Sequence, residues 1–158
     1  MVHFVGAGPG APDLITRRGA ALLQEADCII YAAVCQPGPA GTGKTRLRHL
    51  QQRRDDVGTG AGCDAHHGAD GKITVRLHTG DPCLYGAIRE QMDALDADGI
   101  AYDDTPGVSS FCGAAAALNA EYTLPTVSQT VIITRMEGRT PVPSGKSWPA
   151  LPPTGPLW

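Results

Sequence analysis

The first ten residues constrain the fold more than any other part of the chain. A short apolar run at residues 2–5 leads directly into the glycine-rich turn Gly6-Ala7-Gly8-Pro9-Gly10. Glycine adopts backbone angles that other residues avoid and allows a ligand to approach closely, so the pattern is typical of the first strand-to-helix turn in an α/β sheet. Asp13 is the predicted cap of a helix with apolar residues at helical spacing, and residues 28–31 predict a second buried strand.

The same alternation returns further along the chain. Residues 73–77, 99–102 and 130–134 predict three more strands, and residues 85–98 and 109–118 predict helices. We therefore expect an α/β fold with a mostly parallel sheet of about five strands and flanking helices. Residues 36–71 hold no aromatic residue and few large apolar ones, so their pattern predicts a long loop, which is uncommon inside a compact domain.

Composition narrows the choice of partner. The 158 residues are enough for one domain with a core, 42% of them are hydrophobic, and the net charge of -3 does not favour nucleic acid or an anionic membrane as a partner. We find no apolar run of membrane-spanning length and no signal-peptide pattern. The five cysteines are scattered and odd in number, which is typical of reduced thiols and predicts a cytoplasmic protein.

Three short motifs suggest ligands but lack their usual context. Residues 6–11 match a dinucleotide-binding fingerprint, yet no acidic residue ends the second strand, and a tight turn without ligand is an alternative. Residues 38–45 (GPAGTGKT) match a P-loop, although only Leu47 and Leu50 anchor the helix that should follow. Cys63, His66 and His67 supply only half of a zinc site and are more simply incidental.

Polar residues follow two of the predicted strands. Thr79-Gly80-Asp81 and Ser109-Ser110 would meet at the carboxyl ends of the strands, the edge where open parallel sheets bind ligands. Ordinary strand-to-helix turns explain these residues equally well, and Asp81 either accepts hydrogen bonds from a ligand or caps a helix. Arg135 and Arg139 follow the predicted fifth strand, where they either bind carboxylates or lie in a solvated loop.

Longer segments resemble a known family. The segments are GAGPGAPDLIT, RLHTGDPCLYGAIREQM, PGVSSFCGAAAAL and TLPTVSQTVIITRMEGRTPVP. They resemble the tetrapyrrole methyltransferases, and the second and fourth together resemble the precorrin-4 C11-methyltransferases and their cobalt-pathway counterparts. The resemblance covers residues 1–35 and 72–143.

The resemblance implies two α/β domains that hold S-adenosylmethionine between them, usually in a homodimer. It implies methyl transfer to ring carbon C11 of precorrin-4 or cobalt-precorrin-4 in cobalamin biosynthesis, with no covalent nucleophile and no metal. The residues that match the family's cofactor-contacting loops are Pro9, Thr79, Gly80, Asp81, Leu84, Ser109 and Ser110. We add Arg135 and Arg139 as candidate substrate contacts, because the tetrapyrrole carries many carboxylates.

Two segments do not resemble the family. Residues 36–71 and the chain after Pro143 lose the similarity abruptly. Synonymous codons for residues 44–62 read one base later give RPACDIYNSAAMTLEQVL, and those for residues 145–158 read one base earlier give EKLARFAANRATM, both family-like. We therefore expect a methylase N-terminal domain over residues 1–143 with residues 36–71 out of frame, a non-native tail at 144–158, and no second domain.

Such a chain would bind the cofactor weakly or not at all. A P-loop nucleotide-binding protein and a non-functional remnant are the alternative hypotheses.

Overall fold

Five parallel strands form one sheet in the computed structural model, which describes residues 1–32, 48–52 and 71–135. The strand order is β3-β2-β4-β1-β5, so β1 lies between β4 and β5. The bounds are β1 Val2–Gly6, β2 Cys28–Ala32, β3 Arg48–Gln52, β4 Thr74–His78 and β5 Tyr102–Thr105. The α/β prediction with about five parallel strands is confirmed.

The register aligns the carboxyl ends of the central strands. Gly6 at the end of β1 pairs with His78 at the end of β4, and Val5 pairs with Thr105 at the end of β5. We call the edge that these strand ends form the carboxyl edge. Any ligand-binding group in the loops that follow β1, β4 and β5 therefore starts from the same side of the sheet.

Both faces of the sheet contribute to the core. One face packs Val5, Ile29, Val75 and Leu77 against apolar side chains of the first helix, and the other packs Val2 and Phe4 against Leu95 of the second. All five residues of β1 are buried. This explains why β1 and β2 are nearly continuous apolar runs, as in parallel sheets covered on both sides.

Helix α1 spans Arg17–Glu25, and its cap differs from the prediction. The Thr16 hydroxyl accepts a hydrogen bond from the Gly19 N–H at 3.1 Å. Asp13 lies in a short 3-10 turn, Pro12–Leu14, so the prediction of Asp13 as the cap is wrong. Two prolines, Pro9 and Pro12, fix the backbone before this point and delay the start of the α-helix.

Helix α2 spans Ile88–Ala97, shorter than the predicted 85–98, and α3 spans Ser110–Leu118, close to the prediction. Tyr85 and Ala87 have left-handed φ angles of 59° and 49°, which interrupt the helical backbone before Ile88. At the other end, Gly99 has a φ of 66° and its N–H bonds the Asp96 carbonyl, which ends α2.

Two strand predictions are wrong. Strand β3 lies inside residues 36–71, where the pattern predicted a loop. It pairs with β2 through backbone hydrogen bonds, which any residue except proline can make, so its weakly apolar sequence did not reveal it. Residues 130–134, by contrast, form no strand, although a fifth strand was predicted there, and Val131, Ile132 and Ile133 are each 44% exposed.

The chain divides into two compact units, residues 1–114 and 115–158. The second unit begins within α3. Its described part contains a tight turn in which Leu124 and Ser128 exchange backbone hydrogen bonds of 2.9 and 3.1 Å, with Thr126 at a φ of 67°. The sheet and the loops at its carboxyl edge belong to the first unit.

Candidate functional site

Three loops converge at the carboxyl edge because the residues at their contacts are glycines. A Cβ added to Gly107, after β5, would lie 2.1 Å from the Gly80 carbonyl oxygen and 2.7 Å from the Gly6 Cα. A Cβ on Gly6 would lie 2.5 Å from the Gly107 Cα. No side chain fits at these contacts, so the loops after β1, β4 and β5 touch backbone to backbone.

Hydrogen bonds join two of these loops directly. Gly8 and Gly80 exchange backbone bonds of 3.2 and 2.9 Å, outside the ladder of the sheet. Both glycines have positive φ angles, 81° and 63°, that favour glycine at these positions. The first glycine turn is therefore fastened to the Thr79-Gly80-Asp81 loop.

The structure places the remaining predicted residues around this contact. A Cβ on Gly80 would lie 3.7 Å from the Ser109 Cα and 3.6 Å from the Ser110 N, and a Cβ on Gly113 of α3 would lie 2.6 Å from the Pro9 Cβ. The structure thus brings Gly80, Ser109 and Ser110 to one edge, as the strand ends predicted, and places Pro9, which came from the family resemblance, at the same edge. Their function as ligand contacts remains a prediction.

The Asp81 carboxylate links two loops. Its Oδ1 accepts the Cys83 N–H at 2.9 Å, and its Oδ2 accepts the Gly107 N–H at 3.0 Å. Burial alone would raise the pKa of the Asp81 carboxyl, but hydrogen bonds from Cys83 and Gly107 outweigh burial and lower that pKa below its usual value. Asp81 does not cap α2, which begins at Ile88.

Cys83 and Leu84 complete the turn that follows. The Leu84 N–H donates to the Asp81 carbonyl at 3.2 Å, and the Leu84 side chain is half-buried. A hydrogen bond to the Asp81 carboxylate raises the pKa of the exposed Cys83 thiol. Thr79 is exposed at the start of the loop.

The sequence did not predict the importance of two polar residues on β4, His78 and Arg76. Burial, aided by the positive charge of Arg76, lowers the pKa of His78 to about 4, so the imidazole is neutral at physiological pH. Its ring centroid lies 5.9 Å from that of Phe4. Arg76 is 3% exposed and donates to the Gln91 Oε1 at 2.5 Å. The alternation of polar and apolar residues in TVRLH was the signal that could have revealed both.

Several predicted residues lie either in the second unit or outside the described residues. Arg135 lies half-buried in the second unit, and Arg139, the P-loop match at 38–45 and the cluster Cys63, His66 and His67 lie outside the described residues. Across residues 1–32 and 71–135, no group of three or more His, Cys, Asp or Glu side chains is placed to hold a metal ion. No helix in the described part of the chain is long and apolar enough to cross a membrane.

The glycine turn, the parallel sheet and the joined loops define a class of protein. Residues 1–151 match the family model of the tetrapyrrole (corrin/porphyrin) methylases, and the chain belongs to this family. The match gives no support to the alternative P-loop prediction.

Two individual relatives show the similarity in detail. The chain is 48% identical over 151 residues to a cobalt-precorrin-4 C(11)-methyltransferase of Priestia megaterium, a match that covers 90% of this chain and 55% of the relative. It is 44% identical over 162 residues to a precorrin-4 C(11)-methyltransferase of Mycobacterium tuberculosis, covering 95% of this chain and 61% of the relative.

The crystal structure of the cobalt precorrin-4 methyltransferase CbiF superimposes with a TM-score of 0.87 at 43% identity, covering 94% of this chain and 63% of that one. The chain therefore spans a little more than half the length of these relatives.

Proposed function

We propose that this chain forms the S-adenosylmethionine-binding part of a methyltransferase that acts on carbon C11 of precorrin-4 or cobalt-precorrin-4 in cobalamin biosynthesis. The observation that carries the proposal is the backbone contact of three strand-end loops at Gly6, Gly80 and Gly107. The names of the relatives support the substrate, because both are precorrin-4 methyltransferases.

The carboxyl edge has the chemistry that this cofactor needs. S-adenosylmethionine carries ribose hydroxyls and an amino-acid group, which are recognised by hydroxyls and backbone groups. Thr79 and Ser110 are exposed at the edge. Gly10 has a φ of 116° and nothing lies within 4 Å of a Cβ built there, so space is open beside the first loop. The residues present therefore fit the cofactor.

Each matched residue has a role in the proposal. Thr79, Ser109 and Ser110 supply hydroxyl groups, Gly80 allows the backbone to approach the ligand, and Pro9 and Leu84 supply apolar surface. Asp81 belongs to the same loop. Bound S-adenosylmethionine would supply the methyl group as an electrophilic sulfonium. The protein would accelerate the reaction mainly by holding the two reactants in alignment. Alignment alone can raise a reaction rate by many orders of magnitude, and it needs no nucleophile from the chain.

The proposed substrate contacts are argued from charge. Arg135 and Arg139 follow the turn at residues 124–128 in the second unit, and guanidinium groups suit the carboxylates of a precorrin. For the intact family we further propose a homodimer, and for this chain a cytoplasmic location with no nucleic-acid or membrane partner. The net charge of -3 supports the absence of those two partners.

Calorimetric titration with S-adenosylhomocysteine, the product form of the cofactor, tests the proposal. We expect saturable binding, weaker than in a full-length relative, and a loss of roughly two- to ten-fold in Thr79→Val, the value of one neutral hydrogen bond. Thr130→Val, which removes an exposed hydroxyl from the second unit, is the matched control. An equal loss in both variants would refute the assignment of the site, and absence of saturable binding would mean that this chain by itself does not hold the cofactor.

We also propose that residues 36–71 and 144–158 are translated out of frame. The family-like sequences obtained from shifted codons support this, whereas the family match over residues 1–151 includes both segments in whole or in part. Sequencing the encoding DNA in all three frames tests it. If the printed frame is sound, ATP binding at residues 38–45 should be tested with Lys44→Ala. A thermal melt monitored by circular dichroism tests the remnant hypothesis, because a remnant would show no cooperative transition.

A further inference from the structure

The Asp81 side chain spans two strands that do not pair with each other. Strand β1 lies between β4 and β5, so the loops that follow β4 and β5 share no hydrogen-bond ladder. Strands one position apart in a sheet are separated by about 4.8 Å, and those two positions apart by about 10 Å. Asp81 follows β4, yet its Oδ2 accepts the N–H of Gly107, which follows β5, at 3.0 Å.

The Asp81 side chain can reach across because the glycines, which have no side chain, let the loops lie close together. Gly107 approaches the Gly80 carbonyl and the Gly6 Cα so closely that a Cβ on Gly107 would lie within 2.7 Å of both. The second oxygen of Asp81 is also engaged, because Oδ1 accepts the Cys83 N–H at 2.9 Å. Both carboxylate oxygens therefore bind backbone N–H groups of the protein.

We propose that Asp81 is a positioning residue that sets the spacing between the loop at residues 79–84 and the loop at residues 106–110, and that its carboxylate does not contact the cofactor. The inference rests on the proposed function, because these two loops form the proposed cofactor site. Asp81→Asn is the sharpest perturbation. It keeps the shape but replaces one acceptor oxygen by an NH2 group, which would face a backbone N–H donor of Cys83 or Gly107.

Ligand analogues separate positioning from direct contact. The probes are S-adenosylhomocysteine, 5′-methylthioadenosine, which lacks the amino-acid group, and the 2′-deoxy and 3′-deoxy forms of S-adenosylhomocysteine. If Asp81 positions the loops, Asp81→Asn weakens all four by the same factor, about ten-fold for a hydrogen bond to a charged group. If the carboxylate contacts the cofactor, the analogue that lacks the contacted group shows no loss, which would overturn the proposal.

A second pair of measurements needs no ligand. Hydrogen exchange at the Gly107 amide should be slow in the unmodified chain and at least ten-fold faster in Asp81→Asn. The pH profile for alkylation of Cys83 by iodoacetamide should move to lower pH in the variant, since the Asp81 carboxylate raises the pKa of that thiol. Cys112, exposed on α3, is the reference in the same sample and should keep its profile.

These measurements distinguish the two claims. If the unmodified chain fails to bind S-adenosylhomocysteine, cofactor binding by this chain is refuted, while the Gly107 and Cys83 measurements still report on the link between the loops. If the chain binds and both ligand-free measurements are unchanged in Asp81→Asn, the link is refuted and the function stands. If the variant does not fold, rapid exchange of the Gly107 amide in the unmodified chain would by itself overturn the proposal.

Discussion

Replacing Gly107 with alanine should damage the fold and the site together. A Cβ there would lie 2.1 Å from the Gly80 carbonyl oxygen, whereas real Cβ contacts are essentially never shorter than 3.0 Å. The backbone must therefore shift by about 0.9 Å, the difference between these two distances. All the opposing atoms are backbone, so no side chain can rotate away to make room.

The free-energy cost has three parts. Overpacking of this kind costs about 1–3 kcal/mol. The shift also stretches the 3.0 Å bond from the Gly107 N–H to Asp81, and a hydrogen bond to a charged group contributes about 1.5–3 kcal/mol. Alanine restricts the unfolded chain, which returns about 0.4–1 kcal/mol. We expect a net loss of about 3 kcal/mol in the free energy of unfolding.

Urea denaturation measures this loss, and Gly99→Ala provides the control. With a slope of about 1–3 kcal/mol per molar urea, the midpoint in Gly107→Ala should fall by roughly 1–3 M. Nothing lies within 4 Å of a Cβ on Gly99, so Gly99→Ala bears only the cost of its φ of 66°, about 1–2 kcal/mol. A midpoint for Gly107→Ala at or above that of the control would refute the reasoning, as would unchanged binding of S-adenosylhomocysteine.

Three further predictions concern stability. Because burial lowers the pKa of His78 from 6.5 to about 4, the unfolded chain binds a proton first as the pH falls, so the free energy of unfolding should drop by about 3 kcal/mol between pH 6.5 and 4. His78→Phe should remove this part of the pH dependence in urea titrations, and an unchanged slope would contradict it. Gln91→Leu removes an acceptor from buried Arg76 and should cost about 1–3 kcal/mol in the same assay; no loss would mean that water or other groups replace it. Thr16→Ala removes the cap of α1 and should cost about 1 kcal/mol, whereas Asp13→Ala should cost less, and the reverse order would restore Asp13 as the cap.

The elements predicted correctly were those that leave a pattern within a short stretch of sequence. The apolar runs that became β1 and β2 were visible because both faces of the sheet are covered. The start of α2 was missed because left-handed φ angles at Tyr85 and Ala87 leave no periodic signal. Strand β3 was missed because its pairing with β2 depends on the backbone and not on the apolar pattern.

The candidate site was predictable in location but not in its internal contacts. Parallel strands place their carboxyl ends together, so the clustering of Gly80 and Ser109 followed from strand assignments, whereas Pro9 was predicted only from the family resemblance. The partner of the Asp81 carboxylate was not predictable, because the Gly107 N–H lies 26 residues away and across an intervening strand. A carboxylate beside a glycine turn predicted a ligand contact or a helix cap. In the structure its two oxygens accept the backbone N–H groups of Cys83 and Gly107, and the next α-helix begins only at Ile88.

Three glycines in the loops at the carboxyl edge fall into two groups with different physical requirements. Gly6 and Gly107 are needed because backbone atoms of neighbouring loops occupy the space of a side chain. Gly10 is needed for its φ of 116°, and the space beside it is open. A substitution at Gly6 or Gly107 therefore alters ligand binding only through the position of the loops, whereas a substitution at Gly10 acts on the loop conformation next to the open space. The sequence alone does not distinguish these glycines. Only the contacts of the folded chain separate Gly6 and Gly107, which lie where the loops touch, from Gly10, which has open space beside it.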